Sequence, residues 1–277
     1  MAKNLINYQT IYSQQIYLNS NTASIYLNGS KKSNCTFFFQ DILKLSKDAI
    51  EMRLELVNAQ IPVSWYLINT TNNTFTITVG STSTIYQFPF GNYNANTFIS
   101  TFQSYMGPSW AVAFNNITNK FTFGYSGGQF TLSDSVNSIF SIIGFSSGSQ
   151  YTSSGNNLLA PFSVSFGGLT KINIASSTFN LANADSISKG CVSTICSVPV
   201  STIQGGFIYY NNYTNFKSVF RNHELSSLNI QIQDPNNNYI DFNNVDWTIT
   251  LQIDVIKEIV KTVDNLSDIY NNIVNEI

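Results

Sequence analysis

Short segments in which apolar and polar residues alternate recur along most of this chain. The longest of them, Glu51–Ile61, places Met52, Leu54 and Leu56 on one face and charged residues on the other. An alternation with a period of two predicts a β-strand with one buried face. Because that face is buried only against a second layer, the pattern predicts sheets that pack against each other.

Strand signals of this kind are spread over the whole chain, with turn-forming residues between them. The others are, in chain order, Ala23–Leu27, Cys35–Phe39, Thr74–Val79, Thr84–Phe88, Trp110–Phe114, Lys120–Tyr125, Gln129–Leu132, Leu169–Ala175, Val192–Val198, Phe207–Tyr210, Leu228–Gln233 and Trp247–Ile256. No repeat of fixed period relates them, which argues against a propeller or a solenoid. Many short strands with only a few helices predict a mainly β, antiparallel sandwich.

Two segments between the strands have the period of a helix instead. Phe98, Phe102 and Tyr105 are spaced by four and three residues, Asn94 or Asn96 is the candidate N-cap, and a Gly-Pro pair follows. These signals predict an amphipathic helix with a defined start and stop.

The second helical segment is Ser133–Phe145, for which Ser133 or Ser135 is the candidate N-cap and Gly144 the expected end. Its expected apolar stripe consists of Val136, Ile139, Phe140 and Ile143. This spacing predicts a short helix that buries one side.

The two ends of the chain differ from its strand-rich middle. Residues 1–20 are polar with scattered Tyr and Ile, and predict an N-terminal arm that orders on a neighbour. Residues 257–277 carry apolar residues at intervals of three and four, which predicts an amphipathic C-terminal helix lying on its own domain or on a neighbouring subunit. The main β domain then spans 21–256, with an inserted β subdomain or long loops around 90–168. Within that segment, the Ser- and Gly-rich 146–168 predicts a surface loop.

Charge is scarce in this sequence. Only 10% of the residues are Asp, Glu, Lys or Arg, against roughly 25% in ordinary soluble domains. The net charge is −2, so the chain has no basic field and we predict no specific nucleic-acid partner. Near-zero charge and 14% aromatic residues favour association with other copies, because self-repulsion is weak and aromatic rings supply interface area. A sugar-binding surface has the same composition.

The cysteines and the N-terminus bear on where the chain works. Cys35, Cys191 and Cys196 are an odd number, which excludes a complete disulfide framework, and no second pair completes a zinc site. The first twenty residues contain no continuous apolar stretch, so we predict no signal peptide. No segment approaches the ~18–20 apolar residues of a membrane span. We predict synthesis and use in a reducing compartment inside the cell.

Few residues of this chain are suited to catalysis. The single histidine, His223, lies in a polar segment and is typical of a surface or turn residue. No motif pairs the carboxylates that a glycosidase would need, which are Glu51, Glu55, Asp241, Asp246 and Asp254. The oxygen-rich segment Asp234–Asp241 (DPNNNYID) favours a turn over a calcium site, because its spacing is not that of an EF-hand loop. We predict no enzymatic activity and no catalytic, cofactor-binding or metal-binding residues.

Three segments occur in a recognisable order. The first is Arg53–Asn69, a strand that ends at Ile-Pro and is followed by aromatic residues and Asn. The second is Phe88–Tyr105, a Gly-Asn-Tyr turn that opens a helix, followed by ITNKFTFGY and SVNSIFSIIGF. The third is the late strand Asn243–Val255. In this order, residues 50–256 resemble the penton and minor capsid proteins of virophages and of related polinton-like and large DNA viruses.

The resemblance implies a single jelly roll that assembles as a five-fold ring at the vertices of an icosahedral capsid. It implies a homopentamer whose neighbours are larger capsid subunits with a double jelly roll, together with other minor capsid proteins. The expected location is the virion, assembled inside the host cell. The C-terminal segment and the 146–168 loop leave a second capsid role open, that of a minor cement-type subunit.

Two other functions compete with a capsid role. A carbohydrate-binding or adhesin-like β-sandwich would stack sugars on exposed rings, for which Trp65, Trp110 and Trp247 are the candidates. All three lie in or beside predicted strands, where a core position is the simpler interpretation. A hydrolase is the weakest alternative, and loss of an activity on Glu51→Gln or Asp246→Asn would support it.

Overall fold

The computed structural model describes residues 3–44, 50–179, 181, 183–184, 191–220 and 224–263. The strands are, in chain order, β1 (Lys3–Asn19), β2 (Ile25–Tyr26), β3 (Asn34–Lys44), β4 (Glu51–Pro62), β5 (Thr74–Val79), β6 (Thr82–Gln87), β7 (Trp110–Asn115), β8 (Lys120–Tyr125), β9 (Phe130–Ser133), β10 (Gln150–Thr152), β11 (Asn157–Leu159), β12 (Lys171–Ala175), β13 (Asn183–Ala184), β14 (Cys191–Val192), β15 (Thr194–Pro199), β16 (Phe207–Asn211), β17 (Ser218–Phe220), β18 (Glu224–Gln233) and β19 (Thr248–Val263). The helices are α1 (Ala95–Met106) and α2 (Phe140–Ile143), with 3₁₀ turns at Ser20–Thr22 and Gly29–Lys31.

The chain divides into two compact units. Residues 1–65 and 169–277 form the first, the jelly-roll unit, and residues 66–168 form the second, the inserted unit. The inserted unit enters the chain between β4 and β12.

The strand order of the jelly-roll unit identifies its fold. One sheet runs β1-β19-β4-β16, with β17 also paired to β4, and the other runs β15-β12-β18-β3-β2. Counted along the chain with β16 and β17 as one strand and the short β2, β13 and β14 left out, the first sheet holds strands one, eight, three and six. The second holds five, four, seven and two. Antiparallel strands in this order form a jelly roll, so the predicted fold class is confirmed.

The core of the jelly-roll unit follows from the alternation along its strands. Met52, Leu54 and Leu56 of β4 are buried, as their period-two spacing predicts. They share one apolar cluster with the inward residues of the opposite sheet, such as Ile174 and Ile230. Both sheets therefore bury one face against the other, and each presents its remaining face outward.

The inserted unit has a core of its own, dominated by phenylalanine. Its two sheets run β10-β9-β5-β6 and β11-β8-β7. Phe102 of α1 stacks on Phe75 of β5 at 6.0 Å between ring centroids and meets Phe123 of β8 edge-on at 5.5 Å. Phe98 stacks on Phe121 of β8 at 5.1 Å. The helix thus contributes rings to the packing of both sheets.

Helix α1 begins and ends where the sequence predicts. The Asn94 side chain accepts a hydrogen bond from the Thr97 backbone amide at 2.9 Å, and the Thr97 hydroxyl accepts one from the Asn94 backbone amide at 2.9 Å. This reciprocal pair satisfies two amide donors that a helix N-terminus leaves free. Gly107 ends the helix with a φ of 82°, a conformation that favours glycine.

Three sequence predictions are wrong in the inserted unit. Residues 133–145 do not form one helix, because Ser133 belongs to β9 and only Phe140–Ile143 is helical. Val136, predicted on the buried stripe, is 85% exposed. The predicted loop 146–168 contains the two strands β10 and β11. Gly144 does end the helix, at a φ of 92°, where an added Cβ would collide with the Phe162 carbonyl oxygen.

Both predicted terminal elements also differ from the structure. The N-terminal arm is strand β1, which pairs with β19 of the same chain from Lys3↔Val263 to Asn19↔Thr248. The predicted C-terminal helix is wrong for residues 257–263, which continue β19. Residues 264–277 lie outside the described part of the chain. Ile and Val at intervals of three and four fit either element, and pairing with β1 selects the strand.

We expect Phe98→Ala to destabilise the inserted unit by about 3–5 kcal/mol, because it removes a fully buried ring that packs between several others. Urea unfolding followed by Trp110 fluorescence would measure the change. The matched control is Ile117→Ala, at a side chain that is 93% exposed, for which we expect no more than about 0.5 kcal/mol. Equal midpoints for the two variants would contradict the packing described for α1.

Candidate interaction surface

The outward side of the β1-β19-β4-β16 sheet, here called the outer face, carries a charged cluster near the middle of β4 and β19. Lys217, just before β17, places its Nζ 2.5 Å from Asp254 Oδ2 and 3.2 Å from Glu55 Oε2. Glu55 and Asp254 are only 7% and 5% exposed although they point away from the core. Lys217 therefore neutralises part of the negative charge of two carboxylates that are shielded from water.

Hydrogen bonds set the protonation states of this cluster. Burial by itself would raise the pKa of Asp254, but hydrogen bonds from Lys217 and two neutral side chains hold the pKa below its usual 3.8. These neutral donors are Ser13 Oγ at 2.6 Å and Gln252 Nε2 at 2.9 Å. The hydrogen bond to Asp254 raises the pKa of Lys217 above its usual 10.5. Asp254 and Lys217 thus both stay ionised at neutral pH.

This cluster holds a surface segment in place. Asn212 Nδ2 donates to Glu55 Oε1 at 3.0 Å and to the Phe216 carbonyl at 3.1 Å. Together with Lys217, these bonds attach the connection between β16 and β17 to the sheet. A glycosidase needs one carboxyl with a raised pKa as its proton donor. The pKa of Asp254 is shifted in the opposite direction, and the hydrogen bonds of the cluster position a segment of the surface.

The other candidate acids are engaged separately. Glu51 Oε1 accepts from Arg53 Nε at 2.5 Å. Asp246 Oδ1 accepts from Lys32 Nζ at 2.6 Å and from Ser20 Oγ at 2.8 Å. Of the five acids that the sequence singled out, the structure brings together Glu55 and Asp254, which no sequence motif links.

The contacts of Asp246 belong to a polar cluster at one end of the jelly-roll unit. The Trp247 indole nitrogen donates to the Lys32 carbonyl at 2.7 Å, and the Trp247 backbone amide donates to Ser20 Oγ at 3.0 Å. Burial alone would raise the pKa of Asp246, but the hydrogen bonds from Lys32 and Ser20 hold it below 3.8. The cluster joins the start of β19 to the connections before and after β2.

The tryptophans are excluded as sugar platforms by their burial. Trp247 is fully buried, and Trp65 and Trp110 are 6% and 8% exposed. Trp247 meets Phe37 edge-on at 6.1 Å between ring centroids. The core interpretation of these three residues is therefore correct.

The remaining residues that the sequence analysis considered are the cysteines, the Asn-rich turn and the single histidine. Burial raises the pKa of Cys35 to about 12, so this thiol is not a nucleophile at neutral pH. Cys196 Sγ contacts Tyr210 Oη at 3.2 Å. In the predicted turn, Asp234 Oδ1 accepts from the Asn236 and Asn238 amides at 2.8 and 2.9 Å. His223 lies outside the described residues.

Two rows at one end of the outer face, where β1 ends and β19 begins, are neutral. One cross-strand row consists of Asn19, Thr248, Gln60 and Tyr209, and the next of Tyr17, Thr250, Asn58 and Asn211. No charged residue lies in either row. The exposed rings in these rows, Tyr17 on β1 and Tyr209 on β16, were missed by the sequence analysis. Each tyrosine lies in a segment where buried and exposed residues alternate. This alternation predicts that the ring is exposed, but it does not predict which residues lie opposite the ring on the neighbouring strand.

The outward side of the second sheet is also built from amides. Asn229 Nδ2 donates to Asn34 Oδ1 at 2.8 Å, Gln231 Nε2 to Asn229 Oδ1 at 3.0 Å, and Gln233 Nε2 to Gln231 Oε1 at 3.4 Å. These side chains therefore bond to one another along the sheet. The scarcity of charge in the sequence reflects outward sheet faces that are covered by amides and hydroxyls.

Two further properties apply to the described part of the chain. No helix there is long and apolar enough to cross a membrane. No three His, Cys, Asp or Glu residues within the described ranges are grouped as they would be around a metal ion.

Comparisons with known proteins find similarity among solved structures. No protein-family model and no curated protein matches the chain. The crystal structure of the mavirus penton protein is similar with 12% identity and a TM-score of 0.45, over 89% of this chain and 100% of that chain. A cryo-EM structure of the Sputnik virophage is similar with 10% identity and a TM-score of 0.38, over 87% of this chain and 97% of that chain. The jelly-roll assignment itself depends on the strand order.

We expect Lys217→Met to cost roughly 3 kcal/mol of unfolding free energy at pH 7, because it leaves two shielded carboxylates without their cation. The folded-state pKa of Asp254 is lowered, so its ion pair stabilises the fold above its unfolded pKa of about 3.9 and is lost as the pH falls through the folded value. In the variant Asp254 takes up a proton more readily, because the hydrogen bond from Lys217 that lowers its pKa is absent. The difference between the two proteins should therefore shrink between pH 7 and pH 3 in urea titrations.

The control for this prediction is Arg53→Met. It removes the cation from the more exposed ion pair with Glu51 on β4, the strand that also carries Glu55. We expect it to change the unfolding free energy by less than about 1 kcal/mol. A pH-independent loss in Lys217→Met would show that the lysine acts through packing alone.

Proposed function

We propose that this chain is a structural subunit of an icosahedral viral capsid, and that its copies form the five-fold rings at the vertices. The observation that carries the proposal is the strand order of the two sheets, which is that of a jelly roll. Viral capsid subunits, lectins and cupins are groups of proteins that use this fold. The order of the three sequence segments that resemble penton and minor capsid proteins favours the first group.

The surface chemistry supports a role in assembly. With charged residues at 10% of the chain, copies repel one another weakly. Large apolar side chains are nevertheless exposed in connections between strands, including Ile203 at 83% and Tyr213 at 87%. Side chains of this kind are enriched where proteins meet. A ring requires that one side of a subunit fits a different side of the next copy and that the rotation closes.

The described residues offer no better-supported function in catalysis. Lys217 binds both shielded carboxylates and its hydrogen bond lowers the pKa of Asp254, and the remaining acids that the sequence singled out are spread over separate contacts. We propose that the chain works through contacts with its own copies and with the double-jelly-roll major capsid protein and other minor capsid proteins. The proposed location is the virion, after assembly inside the host cell.

We expect the purified full-length protein to form a species of about 155 kDa, the mass of five copies of the 30.9-kDa chain. Mass photometry and sedimentation velocity would measure this mass, and negative-stain images would show rings. Because few charges are available for the contacts, the mass should be the same in 0.1 M and 1 M salt. A strictly monomeric protein at high concentration would contradict the proposal. Rings with another number of copies would contradict its five-fold part.

A further inference from the structure

We infer that the two neutral rows of the outer face bind an extended, uncharged glycan, with Tyr17 and Tyr209 as stacking platforms at the two edges. This binding site is additional to the proposed assembly role and does not depend on it.

Tyr17 is a fixed and open aromatic ring. It is 75% exposed, and its hydroxyl donates to Gln15 Oε1 at 2.6 Å. Gln15 Nε2 in turn donates to Gln252 Oε1 at 3.3 Å on the neighbouring strand. The hydrogen bonds restrain the ring without covering it, so a ligand that stacks on it loses little side-chain entropy.

Tyr209 provides the second ring. It is 67% exposed and lies tilted against Phe207, with 6.4 Å between ring centroids. Tyr17 is on β1 and Tyr209 on β16, with β19 and β4 between them. Their Cα atoms are about 16 Å apart, because the two residues are separated by three strand spacings across the sheet and by two residues along the strand direction. An oligosaccharide of several units spans such a distance.

Between the rings, four polar side chains have hydrogen-bonding capacity left. Thr248, Thr250, Asn58 and Gln60 make no side-chain hydrogen bond to another described residue. Thr250 is 8% exposed, and its register between Tyr17 and Asn58 places it in the centre of the patch. Hydroxyls and amides of this kind both donate and accept, as sugar hydroxyls require.

Charge and layout argue against other occupants. Neither row contains a charged side chain, and the nearby Lys217, Glu55 and Asp254 bind one another. A phosphate or a nucleic acid would therefore find no cation to pair with. Protein interfaces have an apolar centre and a polar rim, whereas this patch has a polar centre and aromatic edges. Its area, on the order of 300 Å², is also well below the ~800 Å² per partner of a stable protein complex.

The test uses isothermal titration calorimetry of the full-length protein with cellohexaose, xylohexaose, chitohexaose and mannohexaose as neutral probes. A heparin hexasaccharide serves as the charged probe. We expect one or more neutral probes to bind, with a Kd that is the same in 0.1 M and 0.5 M salt, and heparin not to bind. Tyr17→Ala and Tyr209→Ala should each weaken binding about tenfold or more, because each removes a stacking ring.

Three further variants sharpen the test. Thr250→Val keeps the shape of the side chain and removes its hydroxyl, so it should weaken binding while the fold is unchanged by circular dichroism. It also keeps the inference testable if a tyrosine variant fails to fold. Tyr17→Phe removes the bond to Gln15 and should cost less than Tyr17→Ala. Tyr239→Ala, at an exposed tyrosine in the turn after β18 of the other sheet, is the matched control and should bind like the wild type.

Two results would overturn the inference. The first is that no neutral probe binds, or that binding survives both Tyr17→Ala and Tyr209→Ala. The second is that these variants change the mass of the assembly and leave glycan binding as it was, which would identify the face as a contact between copies. The mass measurement on the wild-type protein tests the capsid proposal separately, so either proposal is able to fail without the other.

Discussion

The pairing of β19 with both β1 and β4 is the interaction on which the jelly-roll unit depends. Strand β19 lies between β1 and β4, and its pairing with β1, from Lys3↔Val263 to Asn19↔Thr248, joins segments near the two ends of the chain in one register. Because side chains alternate along each strand, this register also decides which residues of all three strands share a face. A slip by one residue would exchange the buried Ile and Leu of β19 with its Thr, Gln and Asp.

The same register produces the outer face. The inward residues form a continuous apolar cluster with the second sheet, and the outward residues meet one another across the strands. Near the middle of β4 and β19, Lys217 compensates two carboxylates that the neighbouring side chains shield from water. At the end where β19 begins, uncharged side chains leave hydrogen-bonding groups available. A surface with these properties costs little to desolvate, since neutral polar groups are less strongly hydrated than charges. This is the physical basis for proposing glycan binding at the two neutral rows of the outer face.

The core of the inserted unit has a different composition from that of the jelly-roll unit. It is smaller than the jelly-roll unit, and its core depends on phenylalanine rings from both sheets and from α1. Aromatic rings bury a large area per residue, which compensates for short strands. Since the unit begins after β4 and ends before β12, it leaves the strand order of the jelly roll unchanged. Its exposed apolar side chains, such as Ile117, lie in turns, where we expect them to contribute little to the free energy of unfolding because they are not packed.

The sequence by itself determined the elements whose signals are local. Strand β5 and the limits of α1 follow from alternation and from the cap at Asn94, because these patterns involve residues no more than a few positions apart. Composition likewise determined that the surface would be neutral. Tertiary structure alone decided that residues 257–263 extend a strand, since Ile and Val at that spacing suit a helix equally and the partner strand lies at the other end of the chain. It also decided that Glu55, Lys217 and Asp254 meet and that Tyr17 and Tyr209 share one face. Such contacts depend on register between distant strands, which no local pattern encodes.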